Sequence, residues 1–269
     1  MIIHDAHTHI FPDKIAAKAT KSIGDFYEFD KMYCDATTEN LNKTDEKIHA
    51  GFKLVCSSAV TKEQVDGINT FIVSECSKNP SFLGFAALHP ETKNYIEVLD
   101  YAQEHGLRGV KFHSDFQRCN IDDKRAYPMY KEMVKRNMPV LFHMGDHRYD
   151  FSSPLRLKKL MHDIPDLKIM AAHFGGYHRW DDALTLEKSK NLYFDTSSAL
   201  PFMEKEIVYK FFEKFGDDSF LFGTDFPMWN AEEELERFLS LNLGEETNEK
   251  VLHKNFEKLF GLTYEGENK

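Results

Sequence analysis

Two histidines near the start of the chain, His7 and His9 in the run DAHTHIF, have a spacing that suits a metal site. Residues two apart on a β-strand point to the same face, so a strand here would aim both imidazole rings at one point. Neutral imidazole is a preferred zinc ligand, and a catalytic zinc site combines about three protein ligands with one open position. The pair alone is also consistent with two polar side chains that simply find hydrogen-bond partners.

Three further polar residues close apolar runs later in the chain. His143 ends VLFH, His173 ends IMAAH and Asp225 ends FLFGTD, and each of them precedes a loop. Active sites of α/β barrels are built at the carboxyl ends of the strands, which is where these positions would fall. Because an unpaired buried polar group is costly, such residues must be paired, bound to a metal or neutralised. One shared site would satisfy all of them.

The strands that would carry these residues recur along the whole chain. Short apolar runs alternate with segments that have apolar residues at helical spacing, a pattern typical of strand–helix units and a parallel sheet. The predicted strands cover 2–10, 53–60, 82–88, 108–113, 139–144, 168–174, 192–197 and 220–225, and helices are predicted within 61–80, 127–138 and 153–166. A closed barrel leaves no sheet edge unpaired. We therefore predict an α/β fold, a (β/α)₈ TIM barrel in one domain, residues 1–262.

The first connection, 11–52, is longer than a usual strand–helix loop and contains the aromatic run GDFYEFDKMY. We predict that it is a cap-like insertion over the barrel mouth, with a plain insertion as the alternative. The last residues, 263–269, are polar and predict a flexible tail.

The composition argues against several classes of protein. A chain of 269 residues, 42% of them hydrophobic, suits one α/β barrel. The net charge of −10 is spread along the chain, which disfavours a nucleic-acid partner. No apolar run is long enough to cross a membrane, and the first residues do not form a signal peptide, so we expect a cytoplasmic protein. The four cysteines lack C-x-x-C spacing, which indicates neither disulfides nor a cysteine zinc site.

The order of several short motifs resembles the amidohydrolase superfamily, and in particular its amidohydrolase-2 branch, which includes aminocarboxymuconate-semialdehyde decarboxylase and resorcylate decarboxylase. The motifs are DAHTHIFP, GVKFH, LFHMG, AAHFGG, FGTDFP and VLHKNFEKLFGL. They run from the first strand to the last helix. The resemblance implies a distorted TIM barrel that holds one divalent metal ion, zinc in the first place, with manganese or iron as alternatives.

The resemblance also implies roles for individual residues. The metal ligands would be His7, His9, His143 and Asp225. His173 would lie beside the metal and, with Asp225, would move protons; its alternative role is a hydrogen-bonded support of the ligands.

A second group of residues is assigned to the substrate or to a second metal. Lys111 lies on the fourth strand, where members with two metals use a carbamylated lysine, whereas members with one metal leave it to bind a substrate carboxylate or a neighbouring acid. We expect one metal and an unmodified amine. The loop residues His147, Arg148, His178 and Arg179, together with Trp229, are candidates for substrate binding, with a solvated loop as the alternative.

The function that these residues imply is metal-dependent hydrolysis, in which an activated water attacks a small carboxylate-bearing amide, ester or lactone. Nonoxidative decarboxylation of a small unsaturated or aromatic acid is the alternative, because family members catalyse both reactions. A noncatalytic barrel that binds a metabolite is a second alternative. The expected partner is a small-molecule substrate, and a homodimer is left open.

Overall fold

The computed structural model describes residues 1–29 and 32–264, and these residues form eight parallel strands, each paired with the next one along the chain. The strands are β1 (Ile3–His9), β2 (Ala50–Cys56), β3 (Phe82–Ala87), β4 (Gly109–Phe112), β5 (Val140–Phe142), β6 (Ile169–Ala171), β7 (Leu192–Asp195) and β8 (Phe220–Leu221). The chain after β8 returns to β1, where the Ala6 N–H donates to the Phe222 carbonyl at 2.8 Å and the Asp225 N–H donates to the His7 carbonyl at 2.8 Å. The predicted (β/α)₈ barrel is confirmed.

Helices connect the strands on the outside of the barrel. Within the described ranges they are α1 (Asp13–Tyr27), α2 (Thr38–Lys47), α3 (Val65–Lys78), α4 (Tyr95–Glu104), α5 (Ser114–Gln117), α6 (Tyr127–Lys135), α7 (Pro154–Asp163), α8 (Trp180–Ala183), α9 (Lys205–Phe215), α10 (Ala231–Leu239), α11 (Glu245–Glu249) and α12 (Asn255–Phe260). The helices predicted within 61–80, 127–138 and 153–166 are α3, α6 and α7. The first residues of α7 are of types that favour the start of a helix: the Ser153 side chain accepts a hydrogen bond from the Leu155 N–H, and Pro154 occupies the first helical position. None of the described helices is long and apolar enough to cross a membrane.

The core has an inner and an outer part. Alternate strand residues point inward, where Leu141 and Met170 pack, and outward towards the helices, where Val110, Phe112 and Phe142 pack. Because Val110 and Phe112 point outward, Lys111 between them points into the barrel. The strand periodicity therefore buries this lysine completely.

Three of the predicted site residues lie just beyond the strands, which are shorter than expected. β5 ends at Phe142, so His143 follows it directly, and β6 ends two residues before His173. His173 and Asp225 have φ angles of 60° and 57°. A left-handed backbone conformation cannot continue a strand, and its presence at non-glycine residues is typical of functional sites.

The predicted cap segment, 11–52, contains α1, α2 and the first residues of β2. Its last α1 residue, Tyr27, lies against the histidines at the barrel mouth, with its ring centroid 5.6 Å from that of His143. Closure of this segment over a substrate stays a prediction. Of the predicted tail, 265–269 lie outside the described residues, and Tyr264 packs against Phe52 with ring centroids 5.4 Å apart.

Candidate active site

A cavity of about 770 Å³ opens at the carboxyl ends of the strands, a volume within the usual range for small-molecule sites. Much of its wall is apolar, and aromatic side chains from α1, α3 and α5 contribute to it. The chemical groups gather at one end, where the cavity is lined by His7, His9, Lys111, His143, His173 and Asp225.

Three of these groups converge on one point. His7 Nε2 lies 3.2 Å from His9 Nε2, and Asp225 Oδ1 lies 3.5 Å from the former and 3.3 Å from the latter. These atoms form a group close enough to hold one metal ion. The structure therefore brings together three of the four predicted ligands.

The hydrogen-bond partners of His7 and His9 determine which ring nitrogen of each carries a hydrogen. His7 Nδ1 lies 2.9 Å from Asp195 Oδ2, a carboxylate oxygen that can only accept, so the hydrogen of the neutral ring is on Nδ1. His9 Nδ1 lies 3.7 Å from Cys56 Sγ, and the thiol hydrogen is used towards the Thr8 carbonyl. His7 Nε2 therefore presents a lone pair. Burial alone would lower the pKa of His9, but the neighbouring Cys56 and Asp225 raise it to about 9, so a metal would have to displace a proton from the His9 ring.

Two imidazole nitrogens and a carboxylate oxygen that lie this close together fit a divalent cation, because these are the donors that zinc, manganese and iron accept. Burial, and then the nearby Lys111, lower the pKa of His7 to about 4. Burial alone would raise the pKa of Asp225, but the neighbouring His7 and His9 lower it well below its ordinary value. A neutral imidazole and an ionised carboxylate are the forms that bind a metal.

Lys111 approaches the same point from β4. Its Nζ lies 2.9 Å from His7 Nε2, and its side chain is fully buried. Burial lowers the pKa of this amine, which favours the neutral form beside a cation.

The fourth predicted ligand, His143, lies apart from the group of three and faces His173 instead. His143 Nδ1 is 3.1 Å from His173 Nε2. His143 Nε2 lies 2.9 Å from the Gly145 carbonyl, and His173 Nδ1 lies 2.9 Å from the Ser197 carbonyl. Since carbonyls only accept, both rings carry their hydrogen on the side away from each other. Two further lone pairs therefore face each other at the same end of the cavity.

A family model described as amidohydrolase matches residues 4–262, nearly the whole chain. This chain belongs to the amidohydrolase family. It is an enzyme of that superfamily by descent, as the resemblance of its motifs predicted. No protein of curated function matches this amidohydrolase in sequence.

Solved structures share its fold over the full length of both chains. A 5-carboxyvanillate decarboxylase from Sphingomonas paucimobilis has a TM-score of 0.72 at 13% identity, covering 98% of this chain and 99% of its own. A dihydroxybenzoic acid decarboxylase from a Polaromonas species, with bound manganese and the inhibitor 2-nitroresorcinol, has a TM-score of 0.72 at 17% identity, covering 99% and 100%. A probable 2-pyrone-4,6-dicarboxylic acid hydrolase from Acinetobacter baumannii, with citric acid bound, has a TM-score of 0.73 at 15% identity, covering 97% and 100%. At these identities the likeness shows the fold.

Asp195 supports the amidohydrolase site and was not expected from the sequence. Besides the contact to His7, its Oδ1 accepts from the His173 N–H at 3.0 Å and from the Ser197 N–H at 3.1 Å and hydroxyl at 2.6 Å. Asp195 is the last residue of β7, and an acid that closes an apolar strand was the signal that could have found it. One carboxylate thereby orients two histidines of the site.

Asp115 and Tyr27 also line the cavity and were not predicted as site residues. Asp115 is buried, accepts from the Ser152 hydroxyl at 2.5 Å and leaves its Oδ1 without a partner among the described residues. Burial raises the pKa of Asp115 to about 6. Tyr27 comes from the aromatic run of the first connection, 86 positions before the His113 that it contacts. Sequence spacing carries no signal for such a contact.

The five residues predicted to bind substrate do not line the cavity. Two of them are paired with acids: Arg148 with Asp146 at 2.7 Å, and Arg179 with Asp150 at 3.1 Å. The other three are His147, His178 and Trp229. The rings of His147 and His178 pack against each other with centroids 5.9 Å apart.

Trp229 lies outside the cavity lining and contacts the site through Ser198. Its Nε1–H donates to the Ser198 hydroxyl at 2.9 Å, and that hydroxyl donates to Asp225 Oδ2 at 2.6 Å. The structure therefore gives Trp229 a contact that positions a candidate ligand through Ser198.

Proposed function

We propose that this amidohydrolase is a metal-dependent hydrolase of a small carboxylate-bearing ester, lactone or amide. The observation that carries the proposal is the convergence of His7 Nε2, His9 Nε2 and Asp225 Oδ1 at the same end of the cavity as His173 Nε2, a ring nitrogen that carries no hydrogen. The first group suits a divalent ion, and the second can receive a proton at the same end of the cavity.

The ion would be held by His7, His9 and Asp225. The family resemblance adds His143 as the fourth ligand, and its Nδ1 carries no hydrogen and belongs to a side chain that lines the same cavity. Zinc is the first candidate, and manganese and iron have the same preference for these donors. When bound, such an ion polarises a carbonyl group and lowers the pKa of a water molecule.

His173 supplies the base for this reaction. Its Nδ1–H is held by the Ser197 carbonyl, so Nε2 remains the acceptor and takes the proton of the attacking water. The same Nε2 then returns the proton to the oxygen or nitrogen that leaves. Asp225 stays ionised and is held in place by the Ser198 hydroxyl.

The walls of the cavity indicate the kind of substrate. Phe11, Phe26, Phe71 and Phe116 suit an apolar or aromatic body. Two exposed cations, Lys18 and Arg118, line the cavity, and neither forms an ion pair within the described parts of the chain. A carboxylate on the substrate would find its counter-charge there.

Decarboxylation of a small aromatic or unsaturated acid is the second candidate. The observation that favours it is the same apolar wall, because a carboxylate that loses its hydration there is destabilised relative to neutral carbon dioxide. Two of the structurally similar proteins named above are decarboxylases, which is consistent with this candidate.

One experiment separates the candidates. The protein is loaded with zinc, manganese or iron and incubated in ¹⁸O-water with lactones, aromatic esters, amides and aromatic or unsaturated acids. Hydrolysis should place one ¹⁸O in the new carboxyl group without carbon dioxide release, whereas decarboxylation should release carbon dioxide and leave no such label. Metal-free protein is the control. Protein that holds metal and turns over no member of the panel would contradict both candidates and favour the noncatalytic barrel.

A further inference from the structure

The last residue of α1 reaches into the site from the first connection. The Tyr27 oxygen lies 2.8 Å from His113 Nε2 and 3.2 Å from His143 Nε2, and the side chain lines the cavity. We infer that the Tyr27 hydroxyl donates a hydrogen bond to the substrate oxygen on which negative charge develops. This inference rests on the proposed function and names a catalytic group for it.

The partner of His113 shows that the phenol oxygen is an acceptor here. His113 Nδ1 accepts the N–H of Phe116 at 3.3 Å, so the hydrogen of the neutral ring is on Nε2. That Nε2–H points at the Tyr27 oxygen. The hydrogen of the Tyr27 hydroxyl is therefore not used in this contact.

His143 does not take that hydrogen through its nearer nitrogen. His143 Nε2 donates its own hydrogen to the Gly145 carbonyl at 2.9 Å and so cannot accept from Tyr27. Its Nδ1 lies 3.4 Å from the Tyr27 oxygen, and this is the nitrogen through which His143 would hold the ion, so in the metal-loaded protein it has no lone pair left for Tyr27. The phenolic hydrogen is left to face the cavity.

Contacts around α1 hold the hydroxyl in this position. The Arg148 guanidinium lies over the ring of Phe26, 4.7 Å from its centroid, and donates to the Phe26 carbonyl. Asp146, which is buried, binds the same guanidinium at 2.7 Å. A donor that is fixed before the reaction stabilises developing charge without the cost of reorganisation.

The same donor serves both candidate reactions. In hydrolysis the carbonyl oxygen gains charge when water attacks. In decarboxylation the negative charge develops on the oxygen that is conjugated with the carbon that loses carbon dioxide. In each case the hydrogen bond strengthens in the transition state, so its loss should lower kcat more than it changes KM.

The test is Tyr27→Phe in the metal-loaded enzyme with a substrate from the panel above. We expect kcat to fall by about 10²–10³-fold, the usual effect of one such donor, while KM and bound metal stay near the wild-type values. The matched control is Tyr177→Phe, whose ring lies 5.9 Å from that of Tyr27 and whose hydroxyl has no hydrogen bond among the described residues. It should keep the wild-type kcat.

A second substitution covers the case in which Tyr27→Phe loses metal or stability. 3-Fluorotyrosine at position 27 keeps the ring and makes the hydroxyl a stronger acid, so kcat should change while bound metal does not. An unchanged kcat in either variant would overturn the role of Tyr27 and leave the proposed function intact. Wild-type protein that holds no metal, or turns over no substrate, would refute the proposed function and this inference with it.

Discussion

Replacement of Asp195 by asparagine should weaken metal binding by about 10–100-fold, the usual effect of losing a group that orients a histidine ligand. The structure shows why. Asp195 Oδ1 accepts the backbone N–H groups of His173 and Ser197, which cannot reverse their roles, so the amide oxygen of the introduced asparagine must stay there. The amide NH₂ then falls opposite His7 Nδ1, where the carboxylate oxygen lay at 2.9 Å.

An NH₂ group cannot accept a hydrogen bond, so His7 would move its hydrogen to Nε2. That atom faces His9 and Asp225, and a metal would have to displace the proton to bind. A 10–100-fold loss corresponds to about 1.4–2.7 kcal/mol of binding free energy. Competition with a chromophoric chelator measures the zinc dissociation constant directly.

Asp5→Asn is the matched control, because Asp5 is equally buried on β1 and accepts from the His7 N–H and from Thr224. Its second oxygen faces the Thr224 hydroxyl, which can turn and accept from an amide, so no imidazole ring changes its form. Asp5→Asn should keep the wild-type zinc affinity. Equal affinity in the two variants would refute the argument, since His7 would then not depend on Asp195.

Three further predictions test the site and the core. His143→Ala should lose metal and activity together, whereas His173→Ala should keep most of its metal and lose about 10²–10⁴-fold in kcat; metal loss in both variants would make His173 a ligand. Lys111 should remain an unmodified amine in a crystal structure of the metal-loaded protein, and a carboxylated lysine between two ions about 3.5–4 Å apart would contradict this. Burial raises the pKa of Glu234 from 4.5 to about 8, so the folded state holds a proton that the unfolded state releases. The contribution of Glu234 to stability should therefore be present in full below pH 4.5 and be lost as the pH rises towards 8, so the difference in Tm between the wild type and Glu234→Gln should change across this pH range.

The order of strands and helices could be predicted because it depends on local periodicity. Each run of alternating or continuous apolar residues must be buried, and eight of them with helical connections close most simply as a barrel. The predicted ends of the strands were less accurate than their predicted order. His173 and Asp225 leave the strand direction through left-handed backbone conformations, and no sequence period marks those.

The residues that gather at the mouth of the barrel could also be predicted in part. His7 and His9 share a face because of strand geometry, and the carboxyl ends of parallel strands meet at one end of the barrel. Asp225, His143 and His173 were candidates because each closes an apolar run, and the family resemblance supplied their roles. The structure places all five residues on one cavity.

The tertiary structure alone decided the chemistry of each of these groups. Which ring nitrogen carries a hydrogen depends on Asp195 for His7 and on the Ser197 carbonyl for His173, which come from other elements of the fold. The sequence makes Arg148 a candidate for binding an anion, whereas in the folded chain Asp146 pairs with it and neutralises its charge. Periodicity is a property of one segment, whereas proton position and charge pairing are properties of contacts between segments. For this reason the sequence determined where the chemical groups are, and only the folded chain determined which atoms they present.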